Sequence, residues 1–325
     1  MRALVTGATG FIGRHLVRVL LERGWRVTIA HRVGSRLGGM AAAALRRVVW
    51  DLNDEVNAEL AEALAGSEVV FHVGGLIKAL DARRFYAINT EPTVRLYEAC
   101  KGLSNVRRFV YFSSQAAAGP APTSAGVDES HPPRPVCHYG RSKLAAEVHI
   151  RARAHTPFTI LRPSVVFGVG DPETKRLLDA ARRGFVLAVP GRLKLLSLVS
   201  VADVVEAAVT AATAGAARNR TFFLADPEPL PAVVFQASLA RARVRRLNAP
   251  AAAIAALCFA GHALGSLSGT VPSLNLHKLP HLLQRWWVCR PEALMNACNW
   301  RPRENVRAAL RRFAQTAESA SDQDM

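Results

Sequence analysis

The feature that most constrains this chain is its first thirteen residues, MRALVTGATGFIG. Ala3-Leu4-Val5 is an apolar run long enough for a buried strand, Thr6 to Gly13 is rich in glycine, and Phe11, Ile12, Leu16, Val17, Val19 and Leu20 set up a helical apolar pattern. Strand, glycine turn and helix in immediate succession is the context in which a glycine count becomes a dinucleotide-site signal. Gly7 can make the tight turn, Gly10 lets the backbone approach a pyrophosphate, and Gly13 lets helix and strand pack closely. The free amides at the helix start then face the phosphates. The spacing is GxxGxxG rather than GxGxxG, so a generic glycine turn of an α/β protein is the plain alternative.

Further along, strands and helices alternate. Val27 to Ala30, Arg47 to Trp50, Val69 to His72, Phe109 to Phe112 and Phe158 to Leu161 read as strands; Glu55 to Ala65, Phe85 to Cys100 and the stretch from His138 onward read as helices. That alternation predicts a parallel sheet covered on both faces, with ligands beyond the carboxyl ends of its strands. The glycine loop, Arg32, Gly74 and Ser114 all fall at those ends. Where a dinucleotide fold commonly has an acid for the ribose 2′-hydroxyl, the chain has Arg32 and then Arg36. A guanidinium offers planar paired donors to a phosphate, which favours NADP over NAD.

Beyond residue 163 the pattern changes. Arg176 to Arg183 reads as a short helix, Ser200 to Asp203 as a capping box for a helix through Ala212, and Arg220 to Leu224 as a later strand able to join the main sheet. The loop from Gln115 to Pro135 is long for a structureless connection, as binding loops often are.

The chain has 325 residues, half of them hydrophobic, which suits one large or two modest globular domains. A core strand beginning at residue 2 leaves no room for a signal peptide. The five cysteines form no CxxC pair, so reduced thiols in the cytoplasm are expected and no metal site is. A net charge of +17 suits anionic cofactors or acidic membrane surfaces. The excess is scattered arginine without interleaved aromatics, so no nucleic-acid partner is expected.

Ser114, Tyr139 and Lys143 are the candidates for chemistry. Tyr139 and Lys143 are four apart at the start of a helix and share a face. A lysine ammonium nearby favours a phenolate and lowers the tyrosine pKa from its ordinary value near 10. Tyr139 can then exchange a proton with a carbonyl or alcohol oxygen while a hydride moves at the neighbouring carbon, and Ser114 can hold that oxygen.

Taken together, TGATGFIG (6–13), Asp51-Leu52, FHVGG (71–75), YAIN (86–89), YFSSQAAAG (111–119), YGRSK (139–143), LRPSVVFG (161–168) and LVSVADVV (198–205) resemble the extended short-chain dehydrogenase/reductase superfamily, in its NAD(P)-dependent epimerase/dehydratase group. The resemblance implies an α/β fold: a doubly wound parallel (Rossmann) sheet over residues 1–168, joined by the strand near 220–224, and a smaller, mainly helical substrate domain over 169–325. It implies that Gly7, Gly10 and Gly13, with Thr9, Phe11 and Ile12 between them, hold the cofactor phosphates. Asp51 and Leu52 lie beside the adenine, Val73, Gly74 and Gly75 along the ribose side, and Pro163 and Val166 beside the nicotinamide. Ser114 rather than Ser113 aligns with the catalytic hydroxyl, Tyr139 is the general acid/base, and Lys143 is its partner and a ribose ligand. Arg32 falls where flavonoid-reductase-like members hold the NADP phosphate. Gly74 replaces the usual alanine, and Pro92 stands in place of a glycine. The resemblance also implies a homodimer through the helices at 85–100 and 138–155.

Two enzyme readings remain for the substrate. Nucleotide-sugar epimerases and dehydratases usually have an asparagine where this chain has Val165. That difference looks more like the 3β-hydroxysteroid dehydrogenase and dihydroflavonol reductase branch, whose substrates are bulky and apolar. A non-catalytic cofactor-binding subunit is the third reading. The apolar stretch 249–267 follows Arg241, Arg243, Arg245 and Arg246. It is read first as a core helix of the substrate domain and second as a membrane-interface helix. His72 is expected to pack at a strand end, His138 at the surface, and Trp286-Trp287 within the C-terminal lobe; His277 and His281 are four apart on a predicted helix.

Overall fold

A computed structural model of the chain describes residues 1–35, 45–188, 194–240 and 244–322, so Arg36, Arg241 and Arg243 lie outside the described residues. The N-terminal half runs β1 (Arg2–Thr6), α1 (Phe11–Glu22), β2 (Arg26–His31), β3 (Leu45–Val49), α2 (Ala58–Ala65), β4 (Val69–His72), α3 (Ala82–Asn89), α4 (Glu91–Ala99), β5 (Arg108–Phe112), α5 (Gln115–Ala118), α6 (His138–Arg153) and β6 (Phe158–Pro163). It continues through β7 (Val165–Phe167), α7 (Pro172–Arg182), β8 (Phe185–Ala188), β9 (Leu195–Leu196), β10 (Leu198–Ser200), α8 (Val201–Thr213), β11 (Arg220–Leu224), β12 (Leu230–Pro231) and α9 (Ala232–Ala237). The chain then forms β13 (Arg245–Asn248), α10 (Ala251–Ser268), α11 (Leu279–Leu282), β14 (Trp286–Trp287), α12 (Glu292–Cys298) and α13 (Val306–Asp322).

The main sheet has seven strands in the order β11-β6-β5-β4-β1-β2-β3, and every pairing within it is parallel. Parallel strands are covered by helices on both faces and therefore read as continuous apolar runs; β4, β5 and β6 are buried at every position. On one face, Leu16, Val17 and Leu20 of α1 meet Val204, Val205 and Ala208 of α8 over Val5, Val69 and Val110. On the other, Leu60 and Leu64 of α2, Leu96 and Tyr97 of α4, and Ala146 and Ile150 of α6 cover Leu4, Val70, Phe109 and Ile160. Strand order reverses between β1 and β4, which places a ligand crevice at their carboxyl ends.

Several elements depart from the sequence reading. The single helix expected over 85–100 begins earlier, at Ala82, and breaks at Thr90 into α3 and α4; Pro92 has no amide to donate and sits in the first turn of α4. The long loop after β5 opens with a helical turn, Gln115–Ala118, capped by the Ser114 side chain. The short helix expected at 176–183 starts at Pro172, where the Asp171 side chain accepts from the amides of Glu173 and Thr174. The chain also makes short strands outside the main sheet: β10 with β7, β12-β9-β14, and β13 with β8. A separate core forms there, from Phe167, Leu178, Phe235, Leu310 and Phe313.

The apolar stretch 249–267 is not a core helix. It forms α10, of which only Ile254, Cys258 and Gly265 are buried, while Leu257, Phe259, Leu264 and Leu267 are exposed. His277 and His281 do not share a helix: His277 precedes α11 and bonds to the Leu80 carbonyl through Nε2 at 2.9 Å, whereas His281 within α11 stacks on Trp287 at 3.9 Å. Trp287 is buried and donates its indole N–H to the His281 carbonyl. His72 is buried between Thr6 Oγ1 at 2.6 Å and Thr93 Oγ1 at 2.9 Å, a packing residue of β4.

Candidate active site

The glycine loop closes on itself tightly. Gly7 has φ +70, and a Cβ on it would lie 2.5 Å from the amide N of Gly74. A Cβ on Gly13 would lie 2.1 Å from the Gly7 carbonyl oxygen. Gly7 therefore lets β1 and β4 approach at their carboxyl ends, and Gly13 lets α1 start directly on the turn; Gly10 is the exposed N-cap of α1. Thr9 accepts from Arg14 Nε through its carbonyl. The surface continues from there: Gly74 faces Leu52, at 3.3 Å from where its Cβ would be, and Asp51 next to Leu52 lies 4.0 Å from Arg32 Nε. Arg32 is largely exposed at the end of β2, and the Asp51 carboxylate also accepts from the Asn53 amide. This is a cradle that added Cβ atoms would fill, ending in a cation beside a carboxylate. It fits a dinucleotide laid across the carboxyl ends of β1, β2 and β4.

At the other end of the cradle is a cavity of about 300 Å³. It brings together Phe11, Ile12, Val73, Gly75, Ser114, Tyr139, Lys143, Pro163 and Val166, nine of the residues singled out from sequence. Gly7, Thr9, Gly10, Gly13, Arg32, Asp51, Leu52 and Gly74 lie outside its lining, along the cradle. Tyr139 and Lys143 sit in the first two turns of α6, and Ser114 follows β5. Tyr139 and Ser114 line the same cavity, with the serine near enough to favour the phenolate, so the two side chains converge there. Ser114 Oγ accepts from the Ala116 amide at 3.1 Å, whereas Ser113, which also borders the cavity, donates to Glu147 Oε1 at 2.5 Å.

The lysine does not do what its spacing suggested. Lys143 Nζ donates to the Phe112 carbonyl at 2.9 Å and lies 5.0 Å over the Tyr111 ring. Burial pushes Lys143 down to about 7, with Glu147 pulling the other way. Burial likewise pushes Tyr139 up to about 12, and the neighbouring Ser114 offsets only part of this. In the free protein the phenol is thus held protonated, and the lysine is poised near neutrality; desolvation outweighs the ammonium effect.

Three supports were not read from sequence. Glu147 is fully buried one turn after Lys143 and takes Arg162 Nε at 2.9 Å and Nη2 at 2.6 Å, Arg151 at 2.9 Å, and Ser113. Asn89 receives the Leu76 amide at 2.7 Å and donates to Ser142 Oγ at 3.0 Å, tying the loop that carries Gly75 to α6. Gly140 lets α6 dock on α5, since a Cβ there would lie 2.1 Å from the Ala116 carbonyl oxygen. The far wall of the cavity comes from Ile77, Glu173, Thr174, Leu177 and Phe235, on a loop, α7 and α9. Asn89, Ser113, Gly140 and Arg162 lie in the motifs YAIN, YFSSQAAAG, YGRSK and LRPSVVFG, but those motifs do not reveal these contacts; the wall residues carry no spacing signal because three distant segments supply them.

The model of the NAD dependent epimerase/dehydratase family matches residues 3–225, more than half of the chain. The chain belongs to that family. Relatives in it include a ceramide reductase of Caulobacter vibrioides, 33% identical over 61% of this chain and 57% of its own length. A farnesyl-dihydroquinoline-oxide ketoreductase of Stigmatella aurantiaca is 31% identical over 71% of this chain and 70% of its own length. A 3-beta-hydroxysteroid dehydrogenase of Mycolicibacterium neoaurum is 29% identical over 70% and 66%. The chain thus spans little more than half the length of the ceramide reductase. Among solved structures, MoeE5 in complex with UDP-glucuronic acid and NAD superposes with TM-score 0.77 at 24% identity, covering 98% of this chain and all of that one. The UDP-glucose 4-epimerase of Thermus thermophilus in complex with NAD gives 0.74 at 21%, over 97% and 98%. These likenesses show the fold: a doubly wound α/β sheet shared by NAD(P)-dependent epimerases, reductases and dehydrogenases.

Proposed function

We propose that the protein is an oxidoreductase that transfers a hydride between NADP(H) and a secondary alcohol or ketone on a bulky, apolar substrate. The observation that carries this reading is the convergence of Ser114 and Tyr139 in a cavity that Lys143 lines and whose other walls include Ile12, Val73, Ile77, Val165, Leu177 and Phe235. The Val165 side chain offers no hydrogen bond at the place where nucleotide-sugar enzymes of the family have an asparagine. The relatives named as ceramide reductase and hydroxysteroid dehydrogenase point the same way.

In this reading residues 1–168 with β11 hold the cofactor, and 169–325 supply the substrate side. Gly7, Thr9, Gly10, Phe11, Ile12 and Gly13 hold the pyrophosphate, Arg32 the 2′-phosphate, Asp51 and Leu52 the adenosine, and Val73, Gly74 and Gly75 the second ribose. Pro163 and Val166 would border the nicotinamide, which would supply the hydride chemistry. Ser114 orients the substrate oxygen by a hydrogen bond. Tyr139, protonated in the free protein, gives its proton to that oxygen during reduction, and Lys143 in its charged form stabilises the phenolate that results. Homodimerisation would use the helices over 85–100 (α3 and α4) and 138–155 (α6), where Val148 is exposed, and the cytoplasm is the compartment this reading assigns.

Fluorescence titration with NADPH and NADH, followed by turnover of apolar ketones, tests the reading. NADPH preference with ketone reduction supports it. NAD retained through purification, with turnover only of nucleotide sugars, would transfer the site to an epimerase or dehydratase. Cofactor binding without any turnover would make the chain a non-catalytic subunit.

A further inference from the structure

Helix α10 is an unusual surface element. Its eighteen residues, AAAIAALCFAGHALGSLS, contain no charged side chain, and at 1.5 Å per residue they extend about 27 Å. The buried positions Ile254, Cys258 and Gly265 form one stripe, completed by Gly261, where a Cβ would lie 2.3 Å from the Leu274 carbonyl oxygen. Exposed apolar residues line the outer side of the helix: Leu257, Phe259, Ala260, Ala263, Leu264 and Leu267, with Leu264 66% and Leu267 87% exposed, beside the exposed Ser266 and Ser268. Such a contiguous apolar face on a folded chain marks a contact surface.

Both ends of the helix are tied to the body of the protein. β13 precedes it, paired with β8, and the segment after Gly269 returns along the helix to Leu274. The helix therefore lies along the surface of the protein, with its apolar face outward. On its N-terminal side the exposed β13 carries Arg245, Arg246 and the half-exposed Leu247, with Phe185 of β8 exposed beside Arg245. The packed side of the helix meets the loop that reaches the cavity. Gly265 packs against Leu80, His277 bonds to the Leu80 carbonyl, and in the same loop Ile77, 59% exposed, lines the cavity. Glu173, also in the cavity wall, holds Ser273 at 3.1 Å and Lys278 at 3.2 Å on the segment returning from α10.

We propose that α10 and β13 seat the protein on the surface of an anionic lipid bilayer, with the Ile77 rim of the cavity toward the lipid. The basic residues meet anionic headgroups while the leucine and phenylalanine side chains enter the headgroup–acyl boundary. An apolar substrate then passes from bilayer to cavity without crossing water. This entry route rests on the reading of the cavity as an apolar-substrate site; the docking itself does not.

The test is flotation of the full chain with vesicles of phosphatidylcholine alone or mixed with phosphatidylglycerol. We expect flotation with the anionic vesicles, about a tenfold fall in the bound fraction for Leu264→Asp with Leu267→Asp, and a comparable fall for Arg245→Glu with Arg246→Glu. NADPH oxidation with a water-soluble ketone should stay unchanged in those variants, while turnover of a vesicle-dissolved ketone falls with binding. Absence of flotation with anionic vesicles overturns the proposal. So does a dimer, seen by light scattering, that the α10 variants dissociate while wild-type protein ignores vesicles, for then a second copy covers the face. Flotation without turnover of any ketone leaves the docking standing and removes the reductase reading instead.

Discussion

Glu147 and Arg162 form a bidentate ion pair beneath the candidate active site, with Arg162 3% exposed and Glu147 not at all. The pair joins α6, which carries Tyr139 and Lys143, to the end of β6, and through Ser113 it also holds the end of β5. Removing one partner leaves the other charge buried and uncompensated, at a cost of about 3–5 kcal/mol. Glu147→Ala should lower unfolding stability by that order in denaturant melts. Replacing both partners together, Glu147→Leu with Arg162→Met, should restore part of the loss; a double variant as unstable as the single one would show that the pair is not the cause.

Tyr139→Phe should leave the fold intact, because its ring still packs near Phe85, with centroids 6.4 Å apart in the wild type. Loss of the proton donor should reduce turnover by about 10²–10⁴, with NADPH binding retained by titration. Turnover within a few-fold of wild type would remove Tyr139 from the acid/base role.

Lys143 sets the expected pH profile. Its pKa is lowered to about 7 by burial, so its cation is present below that pH and lost above it, whereas Tyr139 at about 12 stays protonated throughout. Because kcat/KM reports groups of the free enzyme, its value for ketone reduction should fall about tenfold per pH unit above roughly 7. A profile flat to pH 9 would mean that the lysine cation is not required before cofactor binds.

Arg32→Ala should weaken NADPH without affecting NADH. A charged hydrogen bond is worth about 1.5–3 kcal/mol, so a loss of roughly ten- to a hundredfold is expected in NADPH Kd. Equal effects on both cofactors would place Arg32 away from the 2′-phosphate.

His72 predicts acid sensitivity. Burial, with Lys143 adding to it, holds its pKa at about 3, far below the ordinary 6.5. Between those values the unfolded chain binds a proton that the folded one does not, so stability is present above about 6.5 and is lost as pH falls toward 3. The slope is up to about 1.4 kcal/mol per pH unit. Denaturant melts from pH 7 to 4 measure it, and His72→Gln should flatten the curve.

What the chain settled locally was legible from its letters. Gly7 at φ +70, the strand before it and the helix after it are consecutive residues, and their conformational needs are local. The succession of the first six strands along the chain followed from apolar runs that alternate with helical patterns. What only the tertiary structure decided depends on burial and on distant segments. The pKa inversion of Tyr139 and Lys143 arises from desolvation, which no four-residue spacing reveals. The Glu147–Arg162 pair joins positions fifteen apart, and Glu173, Leu177 and Phe235 reach the cavity from separate helices. The apolar run 249–267 is the clearest case. Its composition fits a buried helix and an exposed one equally, because hydrophobicity states a preference for leaving water and says nothing about what is there to receive it. The packing of Ile254, Cys258, Gly261 and Gly265 on one side alone left the other side of α10 facing outward.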